Sequence, residues 1–220
     1  MKIKRLIILS FFSIFVLWSF STNKSIAKDV QSITQDKEKD FSEEVDFVSD
    51  AIYKFYRNQD LGEKNNLESY FSKDVLKLMN YKIKYSNLKN KELNNYYYRY
   101  EVTVKPVDVE NWKRDGNSFN FKLQVITEFS YSKSGEVSGN SLVLEFTVFK
   151  DKEDNLKITR CYQSVHSEVD EAKFYDMLSK NEDVDKWLNE NFEEAKKDLK
   201  KSKSYLGLDF YRIMAVFDLS

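Results

Sequence analysis

The chain has 220 residues, 41% of them hydrophobic and 15% aromatic, with 35 Lys and Arg set against 36 Asp and Glu. Lysines interspersed with acids give no net basic face, which argues against nucleic-acid binding. The single cysteine, Cys161, excludes an intramolecular disulfide, so stability must come from packing.

Residues 1–27 read as a secretion signal. Lys2, Lys4 and Arg5 precede the uncharged run Leu6 to Phe20, and small residues Ser25 and Ala27 close the segment. The run is shorter than the roughly 18 to 20 apolar residues of a spanning helix. Cleavage is expected after Ala27, and an uncleaved membrane anchor is the alternative. Cleavage removes four cations (Lys2, Lys4, Arg5 and Lys24) and no acids, moving the formal charge from -1 to about -5. Residues 28–40 read as a solvated linker.

From Phe41 to Asn58, the residues Phe41, Val45, Val48, Ile52 and Phe55 recur at helical spacing, with Ser42 as the expected cap. A turn at Leu61-Gly62 leads to a second helix, from about Leu67 to Leu88, carrying Phe71, Leu76, Met79 and Ile83 inward. After Asn95 the period becomes two. Tyr98, Tyr100, Val102 and Val104 alternate with Arg99, Glu101, Thr103 and Lys105 until Pro106. Asp115-Gly116 suits a tight hairpin turn. Next comes the clearest strand, Phe119 to Tyr131, long enough to require a bent or strongly twisted sheet.

A loop from Ser132 to Asn140 precedes Leu142, Leu144, Phe146 and Val148, and a turn at Asn155 leads into Leu156, Ile158, Arg160 and Tyr162. The expected fold class is α+β: two N-terminal helices packed on a curved antiparallel sheet of about four to five strands, with C-terminal helices. Ser167 is the expected cap of a short helix ending at Leu178. Val184, Leu188, Ala195 and Leu199 line another. The apolar tail 205–217 is expected to dock on the body or on a partner.

Catalytic chemistry finds little support. Cys161 and His166, the only histidine, would lie roughly 16 Å apart and on opposite faces along a continuing strand. No metal-ligand spacing, glycine-rich phosphate loop or nucleophile elbow is present, and no cofactor or metal is expected. One polar residue stands out by parity. Arg160 shares the alternating face of Leu156, Ile158 and Tyr162, so parity points its guanidinium inward, where it needs an acceptor or an opening to water; the alternative is that it lies near the sheet end and snorkels outward. The candidate ligand-binding set is therefore Arg160 with Tyr98, Tyr100, Trp112 and Tyr162, taking an anionic group.

The helix Phe47 to Tyr56, the segment Leu67 to Phe71, the strand pair Phe119 to Tyr131 and Leu142 to Phe149, and the run Leu156 to Arg160 carry a resemblance. Their order resembles the nuclear transport factor two-like fold, a cone of helix and sheet enclosing a pocket. It is also similar to the non-catalytic N-terminal domain that some secreted Gram-positive proteins carry ahead of a cysteine amidase domain. The likeness covers about residues 41–178. After Leu178 the chain departs from it, with a Lys/Glu-rich helix and apolar tail (residues 179–220) where the amidase cysteine motif would stand. The resemblance implies a pocketed binding module without the amidase activity.

The functional expectation is a non-enzymatic binding module, secreted or in the cell envelope. Its expected partner is a protein, the cell wall or a small molecule outside the membrane, with membrane contact only through an uncleaved N-terminal segment. Two alternatives stand beside it: a pocket enzyme using dispersed polar residues such as Arg160 and Tyr98, and a subunit of an envelope assembly.

Overall fold

A computed structural model describes residues 35–93, 97–131, 137–164 and 167–217, without the side chains at 93, 97–100, 131 and 202–217. The leader, residues 28–34 of the expected linker, and His166 lie outside the described residues. Residues 35–40 are helical and run almost directly into α1, Ser42–Leu61. That continuity explains why Ser42 does not cap. The Phe41 N–H already donates to the Lys37 carbonyl and the Val45 N–H to the Phe41 carbonyl, so the first-turn donors have backbone partners. Gly62 ends α1 with φ at 68°, a left-handed conformation that costs glycine little.

The second helix, α2, spans Lys73–Leu93 and starts later than its apolar spacing predicts. Leu67 and Phe71 are buried as expected, but residue 71 forms a parallel bridge with Ile158. A backbone committed to that bridge cannot also be helical.

Five strands follow: β1, Tyr97–Val107; β2, Lys113–Asp115; β3, Ser118–Tyr131; β4, Val137–Lys150; and β5, Leu156–Gln163. The order is β1-β3-β4-β5, with the short β2 also paired to β3, and every ladder is antiparallel. Pro106 does not interrupt β1, because β1 is an edge strand and can spare one ladder N–H. β4 begins at Val137, so Gly139 and Asn140 belong to the ladder and not to a loop. Gly116, at φ 56°, makes the tight β2–β3 turn.

Two helices close the chain: α3, Glu171–Ser179, and α4, Val184–Phe217. Asp170, not Ser167, caps α3, accepting a hydrogen bond from the Lys173 N–H at 3.0 Å. Ser167 donates instead to Glu171 Oε1 at 2.6 Å. Among the described residues, no helix is long and apolar enough to cross a membrane.

Period-two alternation sorts the sheet into two faces. Phe119, Phe121, Leu123 and Val125 of β3, with Leu144, Phe146 and Val148 of β4, are buried against α1 and α2. Val48, Ala51, Ile52 and Phe55 of α1, with Val75, Leu78 and Met79 of α2, supply the opposing layer. Val184 and Leu188 of α4 are buried in the same core, so the C-terminal extension begins inside it. The other face of the sheet, opposite α1 and α2, carries Asn120, Lys122, Glu145 and Thr147.

Glu44 sits uneasily in this core. It is 3% exposed, and its Oε2 has no hydrogen-bond partner. Burial raises its carboxyl pKa, partly opposed by hydrogen bonding to its own backbone N–H. A raised folded-state value means this group favours the fold fully below its unfolded pKa, and that contribution is lost as pH rises through the folded value. Glu44→Gln is therefore expected to be more stable than the native chain at pH 7, by on the order of 1 kcal/mol. The two should converge as pH falls toward 4, read by urea midpoints across that range.

Candidate functional site

Arg160 does not face the core, and the cause is a β-bulge. Thr147 of β4 pairs with Arg160 while the adjacent Val148 pairs with Ile158, leaving Thr159 as an extra residue in β5. The extra residue resets the alternation. Ile158 and Cys161 both point inward, at 0% and 4% exposure, while Arg160 joins Tyr162 on the opposite face. The inward placement expected from parity is thus overturned by one inserted residue.

The guanidinium packs against two tyrosines. Its central carbon lies 4.7 Å from the Tyr162 ring centroid and 4.3 Å from that of Tyr175 on α3. The Tyr175 hydroxyl is fixed in turn: it accepts from the Cys161 N–H at 2.9 Å and donates to the Cys161 carbonyl at 2.8 Å. Burial lifts the Tyr175 phenol above its ordinary value. Further along the same edge, the Ile158 N–H donates to the Tyr70 carbonyl and the Gln163 N–H to Glu171 Oε2. The outer edge of β5 is therefore occupied at three places, which guards it against pairing with another strand. Tyr175→Phe should orphan both Cys161 backbone groups. The expected result is a loss of about 2 kcal/mol in urea unfolding, with faster amide exchange at Cys161.

Arg160 borders a cleft of about 190 Å³ on the face opposite α1 and α2. The cleft opens where β1 ends and the chain runs out through Asp108 and a short 3-10 turn, Val109–Asn111, before returning as β2. Trp112 lies at its base, 3% exposed, with its indole N–H donating to the Val107 carbonyl at 2.9 Å and its ring tilted against Phe41 and Phe121. Trp112 is thus a fixed wall and not a free platform.

Cross-strand register arranges the polar groups of the cleft in two rows. Asn120, Thr147 and Arg160 are direct neighbours across β3, β4 and β5. In the next row, Lys122, Glu145 and Tyr162 are neighbours. Lys122 Nζ lies 3.3 Å from Asp108 and 3.4 Å from Glu145, and these acids, Asp108 first, raise its pKa. Among the described residues, no carboxylate pairs with Arg160.

Of the candidate set, then, the fold brings together Arg160, Trp112 and Tyr162. Tyr98 and Tyr100 belong elsewhere. β1 is three strands from β5, and Tyr98 pairs with Ser130, ten residues along β3 from Asn120. At about 3.3 Å per residue, the β1 tyrosines lie at the other end of the sheet, roughly 30 Å away.

Between the helices and the sheet, a second hollow of about 90 Å³ is bordered by Met79, Lys82, Leu144, Cys161 and Gln163. The most buried ion pair among the described residues borders it. Lys82 Nζ and Glu171 Oε1 are 2.5 Å apart, with side chains 9% and 1% exposed. Sequence reasoning missed this pair, although a signal existed: Lys82 falls on the same helical stripe as Val75 and Met79. Burial pushes the Cys161 thiol up to about 12, so it is not a nucleophile near neutral pH. No group of side chains suited to a metal ion occurs among the described residues.

No family model matches the chain, and no curated protein matches it. Among solved structures, the crystal structure of the intermembrane space region of the chloroplast protein ARC6 is similar over 54% of this chain and 95% of that one. The identity is 12% and the TM-score 0.31, a likeness too slight to carry an argument.

Proposed function

We propose that the chain is a non-enzymatic interaction module, exported to the bacterial exterior, which docks a partner on the outward face of its sheet at the Arg160 cleft. The observation that carries this reading is a guanidinium clamped by two tyrosines at the edge of a cleft, with no carboxylate partner among the described residues. Arginine in that state is a recognition group in waiting, because its fork of donors is pre-oriented and still open.

The interior supports binding at the surface over chemistry within. A hollow of about 90 Å³ has room for roughly three waters at ~30 Å³ each. Ligand pockets usually run from about 300 Å³ upward. An enzyme built on Arg160 would pair it with a carboxylate in a deep cavity, whereas here it looks outward over a shallow one. Export rests on residues 1–27 and on the disulfide-free composition, which suits a bacterial envelope, Gram-positive in the resemblance drawn above. The order of two helices followed by a long-stranded antiparallel sheet keeps the nuclear transport factor two-like fold as the proposed family.

The test is affinity capture from envelope extract with the native chain and with Arg160→Gln, each shown to be folded by its thermal transition. A partner retained by the native chain and lost with the variant supports the reading. A partner retained equally by both places the docking surface elsewhere.

A further inference from the structure

We infer that the Arg160 cleft recognises a single carboxylate on a peptide, seated over Thr147 between Arg160 and Asn120. This deepens the proposed docking reading and rests on it. The argument begins with register. Asn120, Thr147 and Arg160 form one row across three adjacent strands, so the outer two backbones stand roughly 10 Å apart, with their side chains rising from the same face. Thr147 Oγ1 donates to Asn120 Oδ1 at 2.8 Å. That bond turns the carbonyl end of the amide toward Thr147 and leaves the Asn120 Nδ2 hydrogens as donors, with no partner among the described residues. On the other side, the Tyr162 and Tyr175 rings pack against Arg160, and no carboxylate among the described residues pairs with it. Two sets of donors thus flank one position, and a planar acceptor with two oxygens fits between them.

Charge selects the kind of anion. In the neighbouring row Lys122 is shared between Asp108 and Glu145, so those three groups sum to minus one, and Arg160 brings the cleft to zero. One carboxylate takes up the only unshared positive charge. A phosphate dianion or a polyanionic polymer would place its further charge beside Asp108 and Glu145, on a chain whose exported form is acidic. The bulge is part of the device. Were Thr159 an ordinary paired residue of the ladder, Arg160 would fall on the face of Ile158 and point into the core, and bulges are over-represented where a side chain must be re-aimed at a site.

A peptide offers such a group at its C-terminus or on an Asp or Glu side chain, and the same experiment separates the two. Full chain labelled with nitrogen-15 is titrated with N-acetylglycine, N-acetylaspartate α-amide, N-acetylglycinamide and inorganic phosphate, following the Asn120 side-chain amide and the Arg160 Nε–H. Saturable shifts are expected at both groups with at least one of the carboxylate probes, and the tighter of the two identifies the source. The neutral amide should give none, and phosphate should bind at least tenfold more weakly. Arg160→Gln and, independently, Asn120→Ala should each weaken the better carboxylate at least tenfold, in proteins whose backbone spectra remain folded. No saturable shift with either carboxylate, equal binding of the neutral amide or phosphate, or unchanged binding in both variants would overturn the inference. If the carboxylates fail while partner capture still depends on Arg160, the ligand chemistry falls and the docking reading stands. Capture that ignores Arg160 removes the docking reading itself.

Discussion

Replacing Lys82 with Met is expected to destabilise the chain by about 3 kcal/mol, the largest polar effect available in this fold. The ammonium lies 2.5 Å from Glu171 in the core, and Glu171 is 2% exposed. Removing the cation leaves a carboxylate that burial cannot tolerate unpaired. Its remaining donors, the Gln163 N–H at 2.7 Å and the Ser167 hydroxyl at 2.6 Å, soften the loss without cancelling it. The double variant Lys82→Met with Glu171→Met should recover much of the stability, because a buried ion pair replaced by apolar groups of similar volume is often close to neutral. Urea unfolding of the four proteins gives the coupling directly, and a value of 2 kcal/mol or more is expected. Additive losses would mean that each charge is solvated independently, and that the pair does not tie α2 to α3.

Phe174→Ala should cost about 3 to 5 kcal/mol, by lost transfer energy together with the cavity left behind. Phe174 is fully buried and packs edge-on to Tyr175, with ring centroids 5.2 Å apart. Its position gives the substitution a second use. α3 follows the last strand, and its loss of packing should reach the sheet through Tyr175, which holds the edge of β5 at Cys161. The expected observation is one cooperative transition at a lower urea midpoint, with amide protection at Cys161 falling along with the rest of the core. A separate early transition confined to the C-terminal helices would show that they fold on their own.

Much of this architecture could be read from spacing. Phe119 to Phe129 alternates so regularly that strand β3 and its buried face follow from period two alone, and the turn at Gly116 is announced by Asp-Gly. Helix α1 was equally legible from Val48, Ile52 and Phe55. What could not be read depends on partners distant in the chain. Ser42 and Ser167 are both reasonable caps by local chemistry, yet a preceding helical turn satisfies one helix start, and Asp170 serves the other while Ser167 is drawn to Glu171. Residues 67–71 carry a helical pattern but close only a single turn, because Phe71 is bridged to Ile158, about ninety positions away.

The site shows the same division. Sequence singled out Arg160 as anomalous, which it is, and matched it with Trp112 and Tyr162, which do lie near it. Parity by itself put Arg160 on the inner face, because alternation is blind to an inserted residue, and the β1 tyrosines were grouped with it because composition carries no distance. Tyr175, the second ring against the guanidinium, comes from a helix that no strand pattern could have connected to β5.

The bulge at Thr159 also bears on how this surface could change over time. Because Thr159 is the residue left out of the ladder, deleting it would restore regular alternation and keep Ile158 inward, Arg160 outward and Cys161 inward. A loss of three nucleotides at this codon would therefore spare the cleft, and the strand carries one residue in reserve before its two faces exchange. Insertion was absorbed in the same way. An ancestor without Thr159 would already have presented an outward arginine to its neighbours on β3 and β4, and the added residue was taken up as a bulge without disturbing them.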